Sequence, residues 1–166
     1  MLEKPHDGWC HMQLFDVDIV LDADWDDDNP FDWLQACQVG VEKQLPATLI
    51  FKSEFREIVM IADDNHTKIW TDDGFDDNKS LLVYDNYNIE HLTEDIFMDI
   101  NRDFDDWIKE WIVYGFQSSH RQYDDFMYKM SIQGQFFRET EQIEMRLKTA
   151  LRKMESALLK RKWKRK

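Results

Sequence analysis

Hydrophobic residues recur with two different periods along this chain, and the switch between them restricts the fold more than any other feature. From Phe15 to Trp25 the odd positions are apolar (Phe15, Val17, Ile19, Leu21, Ala23, Trp25), while Asp16, Asp18, Asp22 and Asp24 share the even face with Val20. Period two is the mark of a strand with one buried face, here backed by a face of carboxylates. Beyond Asp26, Asp27, Asp28, Asn29 and Pro30 the spacing predicts a helix over about 31–43, stopped by Leu45-Pro46. Strand-like runs follow at roughly 48–52, 57–62, 67–71 and 81–84, with Asp63-Asp64-Asn65 as turn chemistry.

From His91 onward the pattern is helical. Leu92, Ile96, Ile100 and Phe104 recur every four residues, and Thr93 is the expected cap. Gly115–Ser119 interrupts the run, a further helix is expected over about 123–132, and Gly134 interrupts again. The last helix, from about Phe136 to Lys164, places Ile143, Leu147, Ala150, Met154 and Ala157 on one seam. Strands early and helices late predict an α+β fold: an antiparallel sheet from the N-terminal half, packed by helices from the C-terminal half, with a long basic C-terminal helix.

Charge divides the same chain at a different point. Residues 1–137, the expected acidic α+β body, hold 30 of the 34 Asp and Glu and 10 of the 21 Lys and Arg, a net of −20. Residues 138–166, an amphipathic helix with a basic tail, have a net of +7, which leaves −13 for the whole chain. With 43% hydrophobic residues and 7 Trp the body folds in spite of its charge, so the acid must lie on its surface. Solubility in a small domain is met by a net charge of magnitude about 2–8, so a surplus this large points to a charged partner.

The candidate partner-binding surface consists of Asp16, Asp18, Asp22 and Asp24 on the strand, Asp26, Asp27 and Asp28 after it, Asp63 and Asp64, Asp72, Asp73, Asp76 and Asp77, and Asp103, Asp105 and Asp106. Side chains two apart on a strand repeat about every 6.7 Å, close to two steps of a nucleic-acid strand, so a carboxylate ladder fits a groove shaped for phosphates. Asp outnumbers Glu by 23 to 11. Its shorter side chain loses less rotamer freedom on docking, although Asp is also favoured in turns. The tail Lys160, Arg161, Lys162, Trp163, Lys164, Arg165 and Lys166 is the candidate for nucleic-acid contact, with Trp163 able to stack on a base; folding back on the acidic body is the competing arrangement.

Other chemistry finds less support. Asp22, Asp24 and Asp26 have the spacing of a calcium loop, but Asp27 stands where that loop needs Gly and Trp33 where it needs Glu. His6, Cys10, His11 and Cys37 match no paired-ligand spacing for zinc, and two cysteines make no disulfide framework. No Gly-x-Ser-x-Gly turn or Gly-rich phosphate loop occurs. No metal, cofactor or small-molecule substrate is therefore expected. No apolar run reaches the ~18 residues of a membrane span, and Met1–Cys10 lacks the pattern of a signal peptide, which predicts a cytoplasmic protein with no membrane partner.

Two resemblances accompany this reading. Leu14-Phe15-Asp16-Val17-Asp18-Ile19-Val20 resembles the first motif of haloacid dehalogenase-type hydrolases, and Ile58-Val59-Met60-Ile61-Ala62-Asp63-Asp64 resembles their closing acidic motif. That likeness implies Asp16 as nucleophile, Asp18 as general acid/base and a magnesium ion. Yet 45 positions separate Asp18 from Asp63, too few for the intervening units of a parallel sheet. In size, Asp-rich sheet surface and aromatic content the chain also resembles small acidic bacteriophage proteins that disable host enzymes, namely DNA-mimicking anti-restriction and anti-CRISPR proteins and Alc-like transcription shut-off proteins. This second likeness implies a non-enzymatic inhibitor in the host cytoplasm, docked on a basic nucleic-acid-handling surface of a large host machine.

Overall fold

The structure, a computed structural model, describes residues 1–23, 29–53, 56–72, 79–113 and 126–164, the side chains at 72, 79 and 126–139 excepted. Its architecture is α+β, as the two periodicities predict, with two antiparallel sheets in place of one.

Strands β1 (Trp9–Leu14) and β2 (Val17–Asp22) form a hairpin whose turn is Phe15-Asp16. The expected strand over 15–25 is thus shorter. Phe15 adopts a φ of 54°, a conformation unfavourable for any residue but Gly, and its ring lies outside the core. Stacking on Tyr84 at 4.1 Å and edge-on packing against Tyr87 at 5.2 Å offset that strain. Such ring pairs contribute about 0.5–1.5 kcal/mol each.

Helix α1 (Asn29–Lys43) buries Phe31, Leu34, Cys37 and Val41. It ends where Gln44 turns to a φ of 56° and the Leu45 N–H donates to the Gly40 carbonyl at 3.2 Å, a Schellman closure. A Cβ at Gly40 would stand 3.1 Å from Ala47 Cβ and 3.2 Å from Ile89 Cδ1, so its absence brings α1 close to the strand and helix that follow.

Strands β3 (Ala47–Lys52), β4 (Glu57–Ala62), β5 (Thr67–Asp72) and β6 (Lys79–Tyr84) form an antiparallel meander. Leu49, Met60 and Ile69 align across it and are buried. Helix α2 (Ile89–Arg102) is capped by Asn88, whose side chain accepts from the N–H groups of Glu90 and His91. The expected cap, Thr93, is instead buried inside the helix and donates its hydroxyl to the Ile89 carbonyl at 2.6 Å. One helical turn, α3 (Phe104–Asp106), leads into a π-helical segment, Trp107–Ile112.

The last helix, α4, runs from Phe126 to Lys164 without a break at Gly134. Its other residues outweigh the roughly 1 kcal/mol that a helical Gly costs. The expected interruption at Gly115–Ser119 lies outside the described residues. The C-terminal part of α4 packs on α1 and α2. Leu147, Met154 and Ala157 of the expected seam are buried, joined by Leu151 and Leu158, while Ile143 and Ala150 pack at its edge.

An aromatic cluster sits in the core. Trp33 lies 4.8 Å from Phe51 and 6.2 Å from Trp107, with Trp107 5.4 Å from Trp111. Trp33 Nε1 donates to the Ile50 carbonyl at 2.9 Å, which ties α1 to β3.

Candidate docking surfaces

The β1–β2 hairpin presents carboxylates at its turn and on its outer face. Alternation turns Val17, Ile19 and Leu21 inward and leaves Asp18 and Val20 exposed, with Asp16 exposed at the turn. Asp22 does not join them: at 7% exposure it is buried, so the four-rung ladder expected of this strand is reduced among the described residues to Asp16 and Asp18. Tyr84 donates its hydroxyl to Asp16 Oδ2 at 3.5 Å. His11 of β1 bonds Asp18 through Nε2, and its Nδ1 lies 3.5 Å from Glu3 Oε1. Asp18 first, then Glu3, push the imidazole pKa above its ordinary value.

The remaining clusters differ in how far they are engaged. Asp63 closes the β4–β5 turn by accepting from the N–H groups of Asn65 at 2.7 Å and His66 at 3.0 Å, and these bonds hold its carboxyl below the usual range. Asp103 pairs with Arg102 at 2.6 Å and Asp106 with Lys4 at 3.1 Å. Asp105 is exposed. Asp24, Asp26, Asp27, Asp28, Asp73, Asp76 and Asp77 lie outside the described residues, as does the side chain of Asp72.

The basic tail folds back on the acidic body over at least two of its residues. Arg161 is 7% exposed, because it stands on the stripe that buries Met154, Ala157 and Leu158. Its Nη2 pairs with Asp64 and its Nε lies 3.3 Å from Glu90 Oε2. Lys162 Nζ lies 2.6 Å from Glu94 Oε1, which raises the lysine pKa. Glu90 and Glu94, four apart on α2, form the receiving face; that i, i+4 spacing was the signal available in the sequence. Lys160, Trp163 and Lys164 are exposed, Trp163 at 79%, and Lys160 and Lys164 line a cleft of about 390 Å³ together with Lys43 and Asp64. Arg165 and Lys166 lie outside the described residues.

Both cysteines are buried, and burial pushes each thiol up to about 12. Cys10 Sγ donates to the Glu3 carbonyl at 3.2 Å. Among the described residues no group of three or more His, Cys, Asp or Glu is placed to hold a metal ion. Nor is any helix among them long and apolar enough to cross a membrane. The dehalogenase-like segments fall in two different antiparallel sheets, Asp16 in a hairpin turn and Asp63 and Asp64 in another. Comparison with protein-family models, with characterised proteins and with solved structures finds no significant match.

Proposed function

We propose that this protein is a non-enzymatic inhibitor or regulator that docks its acidic, partly DNA-mimicking surface on the basic nucleic-acid-handling surface of a larger host machine, such as an RNA polymerase or a restriction or CRISPR-type defence complex. The observation that carries this reading is the charge surplus. Were every Lys and Arg paired internally, a surplus of 13 carboxylates would still face outward or be held at a cost in stability. The exposed Asp16 and Asp18 stand on a rigid hairpin pinned by Phe15 against Tyr84 and Tyr87, so a docking partner would meet preorganised charges.

The tail tunes this surface. Arg161 and Lys162 neutralise Asp64, Glu90 and Glu94 within the molecule, which supports a clasp over direct nucleic-acid contact by those two residues. Lys160, Lys164 and the exposed Trp163 are left to touch a phosphate backbone next to the docking site.

The test is affinity capture from a bacterial lysate on immobilised wild-type protein and on an Asp16→Asn, Asp18→Asn variant. Nucleic-acid-binding machines should be retained by the wild type, released by salt and depleted on the variant. Identical retained sets on the two proteins would sink the reading.

A further inference from the structure

Arg161 lines the cleft between the C-terminal ends of α1 and α4, and we propose that this cleft is a binding site for a phosphate group. Such a site rests on the reading of the tail as a phosphate contact, and not on where the acidic hairpin docks.

Four cations line the cleft, Lys43, Lys160, Arg161 and Lys164, against two carboxylates, Glu42 and Asp64. The local surplus is positive in a chain whose net charge is −13. Lys43 stands in the last turn of α1, and Lys160 and Lys164 are four apart on α4. All three lysines are exposed, and none has an ion-pair partner among the described residues. Like charges gathered in this way repel, so an anion between them relieves a cost that the fold carries without it. Glu42 is already engaged by Gln38, whose side-chain amide donates to it at 3.3 Å.

A second observation is independent of the lysines. Arg161 is 7% exposed, and its Nη1 is buried without a hydrogen-bond partner among the described residues. A buried guanidinium donor of this kind costs free energy until an acceptor reaches it. The other two nitrogens are engaged, Nε by Glu90 at 3.3 Å and Nη2 by Asp64. Asp64 is half exposed and lines the same cleft, so its carboxylate stands where a phosphate oxygen would bind. A phosphate that displaces it brings at least three acceptor oxygens in place of two, enough for the fork of Arg161, Nη1 included, and for the lysines around it. A lone carboxylate ligand would leave the lysines unmatched. At about 390 Å³ the cleft is at the small end of ligand sites, so it admits one phosphate or a short run of them and excludes a duplex. A single nucleic-acid strand and a small polyanion both offer that group.

Isothermal titration calorimetry of the full chain at low salt, with sodium tripolyphosphate and separately with a short single-stranded oligonucleotide, tests the site. The expected result is one tripolyphosphate bound per chain with a Kd on the order of 0.1 mM, weakened steeply by salt. Lys43→Glu and Lys164→Glu should each weaken it at least tenfold, the loss of about one charge-assisted contact. Both lysines are exposed, so these variants keep the fold, which circular dichroism verifies. Asp64→Asn should tighten binding several-fold, because the internal competitor for Arg161 is gone; an unchanged affinity overturns the exchange of Asp64 for phosphate. Oligonucleotide binding that is lost in the lysine variants and competed by tripolyphosphate supports the site and assigns the phosphate to a nucleic-acid strand. Binding of tripolyphosphate alone supports it as a site for a small polyanion. No binding of either ligand overturns the site, as does binding indifferent to Lys43→Glu. Oligonucleotide binding that falls on truncation after Leu159 but not in Lys43→Glu overturns the cleft and leaves the tail as a simple phosphate contact.

Discussion

Replacing Arg161 by Met should destabilise the protein by about 1–3 kcal/mol, a value that follows from opposing contributions at one site. Arg161 bridges Asp64, whose side chain is half exposed, and Glu90, whose side chain is mostly buried. Removing one partner of a buried ion pair costs about 3–5 kcal/mol, because the other charge is left in a poor solvent. Asp64 adds little, since exposed pairs contribute about 0–1 kcal/mol. Against this, Arg161 Nη1 is buried with no hydrogen-bond partner among the described residues, and removing such a group recovers about 1–3 kcal/mol. Met retains much of the stem that packs beside Ala157 and Leu158, so a change to Ala should cost more. At this size the expected loss lowers Tm by roughly 2–12 °C. Urea titration followed by tryptophan fluorescence should show a lower midpoint at an unchanged m-value. Adding Glu90→Gln to Arg161→Met should recover about half of the loss, because the stranded carboxylate is gone. A single variant within about 0.3 kcal/mol of wild type, or a double variant no better than the single, would refute the clasp.

His11 should titrate above the ordinary histidine range by NMR, and Asp18→Asn should bring it back down; its contribution to stability is fully present at low pH and is lost as pH rises through the raised value. Cys10 and Cys37 should not react with a thiol reagent near neutral pH until the protein is unfolded, and rapid modification of the native state would contradict their burial. Tyr87→Phe removes a 2.6 Å hydrogen bond to Asp95 and should cost about 1–2 kcal/mol in the same urea assay. Truncation after Leu159 should weaken any binding to single-stranded oligonucleotides and strengthen binding to a basic protein partner, since Arg161 and Lys162 no longer compete for Glu90 and Glu94.

What could be read from the sequence depended on whether neighbours along the chain decided the outcome. The inward residues of β2 and the seam Leu147, Met154 and Ala157 follow from local period, and they are buried. Strand β1 carries only a weak sequence signal, although Cys10, Met12 and Leu14 alternate inward, because His11 and Gln13 are poor strand formers. Asn88 and Thr93 both carry a capping side chain, and what separates them is where the chain leaves β6, a tertiary matter. Asp22 obeys the even-face pattern up to the end of its strand, where the Ala23 N–H donates to the Gly8 carbonyl and the packing changes. In the sequence Arg161 is one of six cations of a tail expected to contact nucleic acid or to fold back on the acidic body. Continuing the spacing Met154, Ala157 and Leu158 by three residues would have placed it on the buried stripe.

Mutual exclusion between this protein and nucleic acid tests the proposed docking most directly. The machine captured from lysate would be loaded with a fluorescent duplex, and the protein titrated in while anisotropy is followed. The account predicts full displacement of the duplex, with potency falling steeply as salt rises and weakened at least tenfold in the Asp16→Asn, Asp18→Asn variant. A stable ternary complex in which the duplex stays bound, or displacement indifferent both to salt and to that variant, would contradict it.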